Sequence, residues 1–126
     1  MQNNNTKIKT ELKRRAYFHS LEIIKFIDSL DKRDFSVQII SKQLIRSATS
    51  IGANIVEAQA GSTRKDFTNF FSYALKSANE SKFWLGLLRD SKKAKKNEVN
   101  KLLKETIEIA NMLGSSILTL KGKREF

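Results

Sequence analysis

The sequence predicts an all-α fold, an up-down-up-down four-helix bundle, and three observations carry that expectation. Proline is absent and glycine occurs only five times, so long helices run uninterrupted, whereas turn-rich β architectures need more of both residues. Apolar residues recur at steps of three and four through four successive stretches. Short polar clusters separate those stretches, as antiparallel neighbours in a bundle require. A chain of 126 residues that is 40% hydrophobic buries roughly two-thirds of its unfolded surface, enough for one core.

Residues 1–10 are polar and are expected to form a flexible segment ahead of a bundle spanning 11–121, with a basic tail at 122–126. The first helix should run from about Glu11 to Leu30, with Ala16, Ile23, Ile24, Ile27 and Leu30 facing inwards. Asp31-Lys32-Arg33-Asp34 breaks the pattern as a charged turn. A second helix, from about Phe35 to Ala60, carries Val37, Ile40, Leu44, Ala48, Ile51, Ile55 and Ala58 on one face. Gly61 is its expected C-cap, because glycine takes the left-handed conformation without strain. Thr63 should cap the third helix, with Asp66 as the acid of a capping box and Ser62 as the alternative cap.

The third helix continues to about Asp90 on a stripe of Phe67, Phe70, Phe71, Ala74, Leu75, Ala78, Leu85 and Leu88. Phe83, Trp84 and Leu87 lie partly off that stripe, so apolar surface spreads beyond one face. Such spreading favours a subunit interface over a base-stacking platform. After a polar connection from Ser91, the fourth helix covers about Asn97 to Leu120. Val99, Leu102, Leu103, Thr106, Ile107, Ala110, Leu113, Ile117 and Leu120 are its inward residues.

Charge is the second signal. Lys and Arg number 24 against 13 Asp and Glu, a net charge of +11. That bias suits polyanionic partners, and simple solubility is its plainer reading. The predicted topology polarises it. One end gathers Lys7, Lys9, Lys13, Arg14, Arg15, Arg64, Lys65, Lys121, Lys123 and Arg124, opposed by Glu11, Asp66 and Glu125. Of these, Lys13, Arg14, Arg15, Arg64, Lys65, Lys121, Lys123 and Arg124 are the candidate nucleic-acid contacts. The other end mixes the Lys92 to Lys96 cluster with Asp31, Asp34 and Asp90.

Catalytic chemistry is not expected, nor any cofactor or metal. His19 is the single histidine and is expected at the surface or boundary of the first helix. Cysteine is absent, which removes disulfides and thiolate metal sites and fits a reducing cytoplasm. The glycines are isolated, so no phosphate-cradling loop exists. No nucleophile has an evident base beside it. No apolar run approaches the roughly 20 residues that cross a bilayer, and the polar start lacks a signal-peptide core. The expectation is a cytoplasmic protein without a membrane partner.

One polar constellation stands out. Arg46, Ser50, Asn54 and Glu57 recur along the second helix beside its apolar stripe. A hairpin folding around Gly61 and Ser62 brings Glu80 within about one turn of Arg46. The expected role is a structural, partly buried ion pair, with ligand binding as the rival reading.

Ser50-Ile51-Gly52-Ala53-Asn54-Ile55-Val56-Glu57-Ala58 resembles the signature of the 23S rRNA intervening-sequence proteins. The similarity continues through Arg64-Lys65-Asp66-Phe67, Tyr73-Ala74-Leu75 and Ala78-Asn79-Glu80-Ser81-Lys82-Phe83-Trp84-Leu85, and Arg46 after Gln43-Leu44-Ile45 also fits. It covers about residues 18 to 120. The resemblance implies a bundle assembling as a ring-like homopentamer, with no catalytic residues to carry over. It also implies kinship with the accessory variability determinant of diversity-generating retroelements, a basic bundle that partners a reverse transcriptase and its template RNA. The expected function is therefore a non-enzymatic, oligomeric basic bundle that contacts RNA or DNA. Its rival is a scaffold or protein-interaction module without nucleic-acid affinity.

Overall fold

Side chains cap the first turns of the two central helices, whereas the last helix follows Lys95 without a side-chain cap. The structure is a computed structural model and describes residues 4–122. Four helices follow one another: α1 Asn4–Asp28, α2 Phe35–Ala60, α3 Arg64–Asp90 and α4 Lys96–Leu120. The Asp34 carboxylate caps α2 by accepting from the Val37 amide at 3.1 Å. The Thr63 hydroxyl caps α3 by accepting from the Asp66 amide at 3.0 Å, as the sequence predicts. α3 ends on Lys92 in the left-handed region (φ 61°), while the Lys93 amide donates back to the Leu88 carbonyl at 3.0 Å. That closure usually employs glycine.

Two boundaries differ from expectation. α1 starts at Asn4 rather than Glu11, because no Gly or Pro stops it and the fully buried Leu12 anchors its third turn into the core. Gly61 is not left-handed: its backbone is extended, at φ −67° and ψ 146°. The glycine is needed for room instead. A Cβ there would stand 3.3 Å from both the Ala58 carbonyl oxygen and the Asp66 Cβ.

Every helix packs on its chain neighbours, and α1 closes the bundle against α4. The antiparallel order is visible in the core. Leu12 of early α1 meets Ile55 and Ala58 of late α2, Phe71 of early α3 and Leu113 of late α4 in one cluster. Ile23 and Ile27 meet Leu44, Leu85, Leu88 and Val99 in the other. The up-down-up-down bundle is thus the fold. The α2 stripe is buried as predicted, Ile40 only in part. Ile24 and Ile107, expected inside, are 36% and 43% exposed, while Leu12, Phe26 and Ile109 occupy core positions the sequence reading passed over.

Between the two apolar clusters each helix contributes one buried polar residue: His19, Ser47, Ser81 and Thr106. They pair across two seams. His19 Nε2 lies 2.8 Å from the Thr106 hydroxyl, and the Ser47 and Ser81 hydroxyls lie 2.8 Å apart. Buried polar groups need such partners, and here they find them within a single layer. His19 is accordingly a core residue at 3% exposure, not the surface or boundary group expected. No described helix is long and apolar enough to cross a membrane.

Candidate nucleic-acid interface and association surface

The start of α1, the α2–α3 turn and the end of α4 share one end of the bundle. They border a hollow of about 520 Å³ lined by Thr10, Gly61, Thr63, Arg64, Phe67 and Leu120. Lys13, Arg14, Arg64, Lys65 and Lys121 are all exposed around this end. Lys123 and Arg124 lie outside the described residues. Arg14 sits 3.8 Å from Glu11 and 5.4 Å over the Phe18 ring, contacts that leave its side chain two-thirds exposed. Asp66 on the first turn of α3 is the opposing charge beside Arg64 and Lys65.

Arg15 is used differently. Its Nε and Nη2 donate to the two Glu105 carboxylate oxygens at 3.0 and 2.6 Å, and Nη2 lies 3.7 Å from Glu108. Only a quarter of the side chain is exposed. The hydrogen bond to Glu105 raises its pKa from the ordinary value against the opposing effect of burial. Arg15 therefore clasps α1 to α4 and is withdrawn from the exposed set. Sequence spacing could not reveal this, because the partner lies 90 residues away on a helix whose rotation only the packing fixes.

Arg46 and Glu80 do meet between α2 and α3, through Arg46 Nη2 and Glu80 Oε2. The pair is covered on one side only: the Arg46 side chain is 59% exposed and that of Glu80 35%. Glu80 Oε2 also accepts from the Trp84 indole N–H at 3.1 Å, and Arg46 donates to Gln43. Ser50 and Asn54 bond back to carbonyls of their own helix. The constellation ties two helices together and builds no ligand cradle.

Trp84 is part of that tie. It is half-buried, packs against the Leu85–Leu88 cluster and meets Phe83 edge-on at 5.0 Å between ring centroids. Phe83 and Leu87 remain open, at 59% and 38% exposure. The 46–80 and 47–81 pairings set Ile39 of α2, itself 44% exposed, beside Leu87. The exposed apolar patch on this side is therefore Phe83, Leu87 and Ile39, with Trp84 bracing it from within. Ile39 was missed because it lies off the stripe of α2, on the side turned towards α3.

Among the described residues no group of three His, Cys, Asp or Glu side chains could hold a metal. Burial, the largest influence, pushes the His19 imidazole below its ordinary value, against the pull of Glu105 and then Glu22. The Thr106 hydroxyl lies 2.7 Å from the Leu102 carbonyl; with its one proton donated there, the His19 tautomer that fits carries its proton on Nε2 and donates to Thr106.

Comparison with known proteins agrees with this architecture. None of the curated proteins matches the sequence. A crystal structure from Bacteroides thetaiotaomicron, described as a protein of unknown function from the S23 ribosomal protein family, is similar at 33% identity. It superposes with a TM-score of 0.81 over 87% of this chain and 97% of that one. Residues 9–115 match the family described as 23S rRNA-intervening sequence protein, and the chain belongs to that family.

Proposed function

We propose that this chain is a non-catalytic, self-assembling bundle that binds the backbone of RNA or DNA with its basic end. The observation that carries the reading is the group of exposed cations Lys13, Arg14, Arg64, Lys65 and Lys121 around one end of the molecule. Side chains of this kind neutralise phosphates without reading sequence. Assembly into a ring, a homopentamer by the family resemblance, would repeat that end around one axis and multiply the contacts. Phe83, Leu87 and Ile39 supply apolar surface for such assembly. An accessory role beside a reverse transcriptase follows from the same resemblance and from the same basic surface.

Fluorescence anisotropy with a labelled oligonucleotide tests the reading. Affinity should fall with salt at a log–log slope approaching about minus one per neutralised phosphate. Arg64→Glu with Lys65→Glu should weaken RNA and DNA alike while helical content stays unchanged. Absence of saturable binding in about 0.15 M salt, where the Debye length is near 8 Å, would leave the scaffold reading in its place. That second reading is favoured by the Phe83 patch, which needs a protein and not a phosphate. Light scattering of Phe83→Glu against the native chain measures it directly.

A further inference from the structure

The outer groove between α1 and α2 is apolar and long, and no acid lines the hollow at either end of it. Its upper half encloses about 510 Å³ and is lined by Lys13, Tyr17, Phe18, Gly52, Ala53 and Val56. Its lower half, about 390 Å³, is lined by Ile27, Lys32, Gln38, Ser41, Lys42 and Ile45. Leu21 and Ile24, one and two turns on from Tyr17, continue the apolar seam between the halves at 39% and 36% exposure. From Thr10 to Ile27 the groove runs for about 26 Å, which matches a helix of roughly 17 residues.

Charge narrows what can lie there. Lys13 and Arg14 stand at the upper end, Lys32 and Lys42 at the lower, and no carboxylate lines either half. Lys13 and Lys42 make no ion pair among the described residues. The neighbouring α1–α4 groove is the contrast, because Arg15 there is neutralised by Glu105 and Glu22 is present as well. At the floor of the lower half, Ser41 is more than nine-tenths buried and its hydroxyl has no partner among the described residues. Such a group is costly until something satisfies it.

We infer that this groove docks an amphipathic helix from another protein, one whose apolar ridge is flanked by Asp and Glu. The mode is a helix lying in a groove, with anchors at steps of three and four. Tyr17, Leu21, Ile24, Ile45 and Val56 receive the ridge, and Lys13 at one end with Lys32 and Lys42 at the other select acidic flanks. A second copy of this chain fits poorly, since it brings a net charge of +11 to two hollows lined by cations and no acid. Self-association at Phe83 meets no such penalty, because Glu80 and Asp90 stand near it among the lysines. The inference is independent of nucleic-acid binding.

The probe is a labelled peptide of about 18 residues with leucine at helical spacing and Glu on both flanks, beside a twin with Lys on the flanks. Anisotropy in about 0.15 M salt should show the Glu peptide binding at least about tenfold tighter. Val56→Glu and Ile45→Glu, both at exposed positions, should each weaken it by about tenfold or more, with unchanged circular dichroism. Phe83→Glu should leave peptide affinity unchanged and alter only the assembly mass. Equal binding of the two peptides, or none, overturns the inference. So does a fall in assembly mass with Val56→Glu, which would assign the groove to a second copy. Binding of fluorescent dodecanoate that Val56→Glu abolishes, without peptide binding, would make it a lipid site and overturn it too.

Discussion

On the α2–α3 seam, Arg46 and Glu80 meet at the surface one residue away from Ser47 and Ser81 in the core. On the α1–α4 seam, Arg15 and Glu105 meet outside His19 and Thr106. Both seams thus carry an ion pair without and a neutral polar pair within, at the same level of the bundle. They differ in what the inner pair can lose. Each serine hydroxyl also lies against a carbonyl of its own helix, Leu44 for Ser47 and Ser77 for Ser81. Among the described residues His19 Nε2 has Thr106 as its one partner, and its ring can gain a proton. The seam that closes the bundle between α1 and α4 is therefore the more vulnerable of the two.

The largest expected effect comes from removing one inner partner on each seam. Thr106→Val keeps the shape but leaves the His19 N–H unpaired in the core. That should cost about 1–3 kcal/mol. Ser81→Ala leaves the Ser47 hydroxyl its Leu44 acceptor and should cost about 1 kcal/mol or less. Urea denaturation of the two variants measures the difference. Equal losses would mean the seams are equivalent and would break the comparison.

Acid should act on one seam only. The folded pKa of His19 lies below its unfolded value, so the unfolded chain takes up the proton first as pH falls. The contribution is complete above the ordinary histidine range, about 6.5, and is lost as pH drops from there towards the folded value. The carboxylates facing the ring, Glu105 and Glu22, soften the effect without reversing it. His19→Gln, which keeps an N–H donor, should be less sensitive than the native chain between about pH 7.5 and 5.5. Parallel stability curves for the two proteins would remove His19 as the cause.

The difference between the seams also marks where the sequence was legible. The α2 stripe and the Thr63 cap follow from periodicity and hydroxyl chemistry, which are local. The Arg46–Glu80 contact follows from folding one hairpin about Gly61, since α2 and α3 adjoin in the chain. The inner layer does not follow. Serine and threonine sit as readily on a wet face as in a core, and a lone histidine on a helix has no periodic signature. Ile24 and Ile107 failed for a related reason: an apolar residue at the margin of a stripe turns outward or inward according to the rotation of its helix. Which partner of the Arg46 pair is the open one was not legible, because hairpin register gives proximity along the axis and says nothing about depth.

The smallest effect is the sharpest test, a pair of double-mutant cycles on the outer ion pairs. Arg15 and Glu105 make two bonds, at 3.0 and 2.6 Å, with side chains 25% and 32% exposed. Arg46 engages Glu80 through a single nitrogen and is 59% exposed, so water and salt screen it more. Exposed pairs couple by roughly 0.2–1 kcal/mol, and forked, half-covered geometry lies at the upper end of that span. Coupling between Arg15→Ala and Glu105→Ala should therefore approach about 1 kcal/mol, and that between Arg46→Ala and Glu80→Ala should stay under about 0.5. The second figure carries a correction of its own. Glu80→Ala also strips the Trp84 N–H of its acceptor, so that single loss should exceed the loss from Arg46→Ala. Raising the salt to about 1 M should shrink the Arg46 coupling more than the Arg15 coupling, because shielding reaches the open pair first. Equal couplings at low salt would show that depth, and not the presence of a forked bond, has been given too much weight.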